Sequence, residues 1–439
     1  MRNHNRQTFL QLLVLVGIVL AFSSPSTAED WPAWRGPRGD GTIHDQVPTK
    51  WNGITGENVQ WKSAIPGNGH SSPIVWKDSI LVTACLDGSA QRQLIRLDRK
   101  DGHIVWQNTV IESRLEAKHA LNSFASGTPA TDGEYIYVSF LEVGDEQVLA
   151  PNVGSERWIY PGKMVVAAYD FDGNQIWIKR VGPFVSAHGF CSNPVLYKDL
   201  VILNGDHDGD SYLIALDRRD GSTVWQQPRR HRTRSYCTPI IRTIEGQDQL
   251  VLSGSLCLAA FDPSNGSPLW NVEGPTEQFV ASMVDDGKDF FVVGGFPTYH
   301  VMAVNPKGRG DVTDTHIRWH ETNVRCYVPS PVVVKNFLVV ADDRGTANCF
   351  DTQSGERYWQ TRMGRHYSGS LVCNSTLAFL TDDDGVTKVI RVAKEAEVVQ
   401  ENELGERIFS SPAASDGQLF LRGEKHLYCI GSMTVETKQ

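Results

Sequence analysis

Leu216-Asp217-Arg218-Arg219-Asp220-Gly221-Ser222-Thr223-Val224-Trp225 decides the fold, because the chain keeps returning to it. An aliphatic or aromatic residue and an Asp lead into a polar turn with Gly, and a short strand then ends on Trp. The same phrase runs from Leu97-Asp98 through Gly102 to Trp106 and from Tyr169-Asp170 through Gly173 to Trp177. It recurs from Phe261-Asp262 through Gly266 to Trp270 and from Phe350-Asp351 through Gly355 to Trp359. Trp61 and Trp319 carry partial copies, and Val398-Val399 stands where a further tryptophan is due. Strand-rich units repeating every ~40 to 50 residues are the sequence form of a propeller.

Working outward from the phrase, each unit opens on a small residue and Pro: Ser72-Pro73, Thr128-Pro129, Asn193-Pro194, Thr238-Pro239, Ser330-Pro331 and Ser411-Pro412. Ala281-Ser282-Met283 and Gly369-Ser370-Leu371 are degenerate copies, which brings the openings to eight. Turns such as Lys77-Asp78, Asp132-Gly133 and Lys198-Asp199 then precede apolar runs that read as antiparallel strands. The sequence therefore predicts an all-β, eight-bladed propeller of four-stranded antiparallel blades. The last unit lacks an outer strand, and Asn58 to Lys62 has that strand's character, so the N-terminal and C-terminal strands are expected to pair and close the ring. The predicted organisation is a signal peptide over 1–28, a leader over 29–50, one propeller over 51–433 and a tail over 434–439.

Arg2 and Arg6, the apolar stretch from Phe9 to Phe22 and the small residues Ser26-Thr27-Ala28 form the export signal. The apolar stretch is shorter than the ~20 residues that span a bilayer, so cleavage and a periplasmic or otherwise exported, unanchored monomer are expected. No Cys precedes Cys85, which rules out a lipid-modified cysteine just after cleavage. Losing Arg2 and Arg6 takes the formal charge from -9 to -11, and a chain this acidic is a poor partner for nucleic acid or an anionic membrane. The eight cysteines are spread over the repeats and read as small core residues, with room for one or two bridges.

The Asp-to-Gly-to-Trp phrase resembles the tryptophan-docking repeat of the pyrroloquinoline-quinone-type (PQQ-like) propellers, over roughly residues 51 to 431. That family holds quinoprotein alcohol and glucose dehydrogenases and the outer-membrane assembly lipoprotein BamB. The resemblance implies that Trp61, Trp106, Trp177, Trp225, Trp270, Trp319 and Trp359 each stack on the neighbouring blade near its Gly turn. The leader Trp31-Pro32-Ala33-Trp34-Arg35-Gly36-Pro37 also resembles one found in exported PQQ-like proteins, without a role that the sequence reveals.

Candidate ligand residues lie in the loops before each opening: His70, His119, His188, Arg234, Arg325, Arg365, His366 and Arg407, with Tyr236 and Tyr327 among accompanying aromatics. If they converge, they make a cationic, aromatic mouth over the central channel, suited to a small anionic ligand. The run Arg229-Arg230-His231-Arg232-Thr233-Arg234 reads either as a rim clamp or as a solvated loop. Asp206-His207-Asp208-Gly209-Asp210 lacks EF-hand spacing and reads as a turn, so no metal site is assigned. No catalytic residue can be assigned. No adjacent Cys-Cys pair of the quinoprotein kind is present. Two classes follow: a non-catalytic, BamB-like binding or scaffolding propeller of the envelope engaging a protein partner or small ligand, and alternatively a PQQ-dependent dehydrogenase with PQQ and calcium. The long second repeat, from Ser139 to Met164 with Val148, Leu149 and Trp158, offers a partner surface or packs on the propeller side.

Overall fold

The computed structural model describes residues 29–431; the predicted signal peptide and the C-terminal tail lie outside them. Eight sheets follow one another around a ring, seven of them four-stranded and the fourth five-stranded. Blade 1 is built from Ile74–Trp76, Ser79–Leu86, Gln91–Asp98 and Ile104–Glu112, and blades 2 to 7 repeat this inside-to-outside order. Blade 8 takes Ala413–Ser415, Gln418–Arg422 and His426–Ile430 from the C-terminal end and its outer strand, Val59–Ala64, from the N-terminal end. The predicted closure is thus present. None of the described residues forms a helix.

Each sheet is buried on both faces, which is why its middle strands read as continuous apolar runs rather than alternating ones. In blade 2, Ile136, Val138 and Phe140 pack against blade 1, whereas Tyr137 and Leu141 pack against Val201, Leu203 and Ile214 of blade 3. The core is therefore a circle of layers between blades. Tryptophans tie the rim of these layers. The Nε1–H of Trp177 donates to Arg218 O at 2.9 Å in the next blade, and its ring lies on Gly221. Trp61, Trp106, Trp225, Trp319 and Trp359 make the same bond to Arg99 O, Phe171 O, Pro263 O, Thr352 O and Ala393 O. Gly221 has φ +69°, and a Cβ there would meet the Trp177 ring at 2.6 Å, so backbone and neighbour both demand glycine.

Trp270 departs from the expectation. Its Nε1–H donates to Gln249 Oε1 within its own blade at 2.8 Å. The next blade carries a long connection between His300–Val304 and Ile317–Glu321 in place of the short turn, and Gly310–Asp311 pairs parallel with Trp270 and Asn271. A strand occupies the place where the Gly turn would stand. In blade 7 the register sets Gln400 opposite Val389, the position other blades fill with Trp, and Val399 is the bulged residue.

All eight cysteines are free thiols, so no bridge forms, and seven are buried as small core residues. The basic run and the acidic turn are partners of one another: Arg229 pairs with Asp206 at 2.9 Å, Arg234 with Asp208 at 2.7 Å and Arg232 with Asp210 at 2.6 Å. Arg229 and Arg234 are buried in these pairs while Arg230 and Arg232 stay exposed, so the run is not an open clamp and is solvated only in part. In the second repeat, Val148–Leu149 and Trp158–Ile159 form a small hairpin. Ala150 and Ile159 pack on Ala187, and Asn152 bonds Asp208 and Arg232 O, while Val148, Leu149 and Trp158 face solvent.

Candidate functional site: a blind axial cup

The eight openings do more than punctuate the sequence, because they join into a closed hydrogen-bonded ring around the axis. Ser72 N–H donates to Thr128 Oγ1 at 2.9 Å, Thr128 N–H to Asn193 Oδ1 at 2.7 Å, and Asn193 Nδ2–H to Thr238 Oγ1 at 2.7 Å. Thr238 N–H then donates to Ser282 Oγ, Ser282 N–H to Ser330 Oγ, Ser330 N–H to Ser370 Oγ, Ser370 N–H to Ser411 Oγ, and Ser411 N–H back to Ser72 Oγ, all at 2.8 to 3.0 Å. Inner strands crowd the axis, so these buried amides need acceptors, and a short hydroxyl or amide side chain at one fixed position supplies them.

On one side of the ring, the leader closes the channel. Trp31 pairs with Val75 of blade 1 through two bonds of 2.9 Å, and Pro32 O accepts from Thr131 N–H of blade 2. Arg35 Nη2 donates to Pro331 O of blade 6 at 2.5 Å and to Leu371 O of blade 7 at 3.2 Å. Gly41 and Ile43 bond Cys373, and Asp40 lies 3.6 Å from Arg242 of blade 4. Burial lowers the Arg35 guanidinium to about 10, which still leaves it cationic at neutral pH. It also sits 5.7 Å from the Trp34 ring. Trp34 lines a small void of about 200 Å³ under the ring and also the main cavity on the other side, so it is the partition between them.

The main cavity, of about 380 Å³, opens on the opposite face. The structure brings His70, His119, His188, Arg234, Tyr236 and Tyr327 together around it. Arg325, Arg365, His366 and Arg407 are not in the lining. Arg325 is exposed; Arg365 points out to Asp384 at 3.1 Å, and Arg407 is an exposed side chain over Phe409. Exposed guanidinium groups keep their hydration, and acidic neighbours draw them outward. His366 is half-buried and bonds Asp383 at 2.8 Å, which holds its pKa above the usual imidazole value.

The lining is accordingly close to neutral. Arg234 is matched by Asp208. Burial, reinforced by the Arg422 charge, lowers His70 to about 4, and burial with Arg234 nearby does the same to His188, so both are neutral at pH 7. Asp343 is the one carboxylate in the lining, and burial raises it to about 6. Its Oδ1 accepts Tyr327 N–H at 3.2 Å and Val328 N–H at 3.1 Å. Aromatic faces complete the wall: His70 stacks on Phe409 at 4.5 Å, and Phe296 lies 6.3 Å from Tyr327.

Sequence reasoning passed over Trp34, Asn122, Asp343, Ser368 and the ring residues as lining groups. The recurrence of Ser, Thr or Asn at each opening was the available signal for the ring; nothing local marks Trp34 or Asp343.

Calcium with a quinone polycarboxylate does not fit this lining. The cation wants several oxygen ligands, and the quinone's carboxylates want unpaired cations. The cup's amide and hydroxyl oxygens come with a lone aspartate to balance a divalent charge, and its one arginine is already paired. Among the described residues, the group close enough to share a metal ion is Asp98, Asp101 and His103, on the docking turn of blade 1 and not in the cup.

The family described as outer membrane protein assembly factor BamB matches residues 45–165 and 146–361. No curated protein matches the chain. The solved structure of BamB from Moraxella catarrhalis is similar with a TM-score of 0.57 at 12% identity, covering 88% of this chain and 100% of that one, a likeness of fold. A europium-containing methanol dehydrogenase aligns over 91% of this chain and 90% of its own with a TM-score of 0.47 at 14% identity.

Proposed function

This chain belongs to the PQQ-like propeller family described as outer membrane protein assembly factor BamB, and from that premise we propose that it is a non-catalytic binding propeller of the cell envelope, exported by its N-terminal signal. Its ligand is a small molecule held in the axial cup. The observation that carries this reading is the blind end: a channel sealed by Trp34 and the leader on one side, yet open and lined by aromatic and hydrogen-bonding groups on the other. A volume of about 380 Å³ falls in the range of small-ligand pockets. Catalysis finds less support: Asp343, the one acid of the lining, holds two main-chain amides through Oδ1, and the lining hydroxyl of Ser368 bonds the Asp383 carboxylate directly, with His366 bonded to that same carboxylate rather than set between the two as a base.

A protein partner is a second reading, favoured by Leu149 and Trp158, which pair across the second-repeat hairpin and are 50% and 60% exposed. The test is calorimetric titration with neutral, anionic and cationic small molecules, on the parent and on Val280→Trp, which fills the cup from a lining position. Saturable binding abolished by Val280→Trp supports the cup. Binding that survives in a folded Val280→Trp variant refutes it.

A further inference from the structure

The cup's chemistry narrows the ligand further than its shape does. Anions need an unpaired cation, and the lining's one arginine is buried against Asp208 with neutral imidazoles beside it. What the wall holds instead is groups that both donate and accept, Gln278, Tyr236, Tyr327 and the ring hydroxyls, with Asn122 and Asn193 already bonded within the wall. Each of the ring residues Ser72, Ser330, Ser370 and Ser411 already accepts a main-chain N–H, which leaves its own O–H to donate. Asp343 complements them. Its Oδ1 takes both main-chain amides, and no described residue donates to its Oδ2, which leaves an acceptor on the one carboxylate of the lining.

A ligand suited to such a wall is itself made of groups that donate and accept, arranged around a flat apolar face that can lie on an aromatic ring. Trp34 at the floor, the stacked His70 and Phe409 pair and the Phe296 and Tyr327 pair offer such faces. We propose, resting on the cup reading above, that the cavity takes a neutral polyhydroxyl ring, one or two sugar residues in size, with the leader's Trp34 as its floor and Asp343 Oδ2 as an acceptor for its hydroxyls. The leader is then part of the binding site as well as a plug. Trp34→Ala would join the main cavity to the void beneath it and remove the floor, while the ring's own hydrogen bonds stay in place.

The experiment titrates the full mature chain, by calorimetry, with glucose, galactose, mannose, N-acetylglucosamine, maltose and cellobiose. In parallel, citrate serves as the anionic probe and choline as the cationic one. The expected result is saturable binding of at least one sugar, weakened tenfold or more in both Trp34→Ala and Asp343→Asn, with thermal melting as the check that each variant is folded. If citrate or choline binds in a manner blocked by Val280→Trp while every sugar fails, the ligand class is wrong and the cup stands. Failure of every probe overturns both. Sugar binding that is unchanged in a folded Trp34→Ala variant overturns the role of the leader.

Discussion

Trp177 and Gly221 allow the docking of one blade on the next to be measured as a coupling energy. Trp177→Ala removes a side chain that is 6% exposed, a hydrogen bond of 2.9 Å to Arg218 O and a ring contact with Tyr137. Such a loss costs about 3–5 kcal/mol. Gly221→Ala adds two separate penalties. An L-residue in the left-handed region costs about 1–2 kcal/mol, and forcing a Cβ to 2.6 Å from the indole adds an overpacking cost of about 1–3 kcal/mol. Gly246 has φ +82° with open space around it, so Gly246→Ala reports the backbone penalty alone. In a Trp177→Ala background the indole is gone, leaving the flexible Lys179 stem as the neighbour, and Gly221→Ala should cost no more than Gly246→Ala. The expected coupling is therefore about 1–3 kcal/mol. Urea denaturation of the four chains of the cycle, followed by circular dichroism and fluorescence with coincident transitions, supplies the numbers. Additive costs would refute the argument that the turn glycine exists to receive the tryptophan.

Burial that raises Asp343 to about 6 makes its charge a liability: its contribution is whole below about pH 4, the ordinary range, and is lost as pH climbs through 6. The melting temperature of Asp343→Asn minus that of the parent should therefore rise between pH 4 and 7, and a flat difference rejects the burial cause. The difference is the quantity to follow, because His70, lowered to about 4, acts in the opposite sense and loses stability as pH falls from 6.5 towards 4. Arg35→Met should cost about 2–4 kcal/mol, as main-chain carbonyls of blades 6 and 7 lose their donor, and should expose residues 31–43 to limited proteolysis. Ser330→Ala should cost about 1–2 kcal/mol and speed amide exchange at Ser282, whose N–H loses its acceptor, while Ser330→Thr should restore both. Deleting residues 51–65 should unfold the ring cooperatively through loss of the outer strand of blade 8, whereas trimming after Met433 should not; a deleted chain that melts like the parent rejects the closure.

The fold was legible because its determinants are local and repeated. The Asp, Gly and Trp of each phrase sit within about ten residues, and the structural reason for the Gly, a tryptophan arriving from the preceding blade, recurs around the ring. Trp270 shows the boundary of that logic, since the phrase is intact there and the exception is written in the length of the following connection. The site was harder to read. Loop position alone located His70, His188, Arg234, Tyr236 and Tyr327 in the cup, but it could not tell which arginines turn outward to Asp384 or solvent and which turn inward to Asp208. Charge in the cup depends on pairings between segments far apart in sequence. Trp34 reaches the cavity through a leader that crosses the end of the ring, a placement that no repeat pattern encodes.

The seam in blade 8 has a consequence for biosynthesis. Val59–Ala64 is among the first described segments to leave the ribosome, and its partner His426–Ile430 is among the last. During synthesis, that early strand must wait unpaired while seven blades form behind it. A waiting edge is the point at which an unfinished chain is most open to misassociation, and so the point at which a holdase would find its substrate.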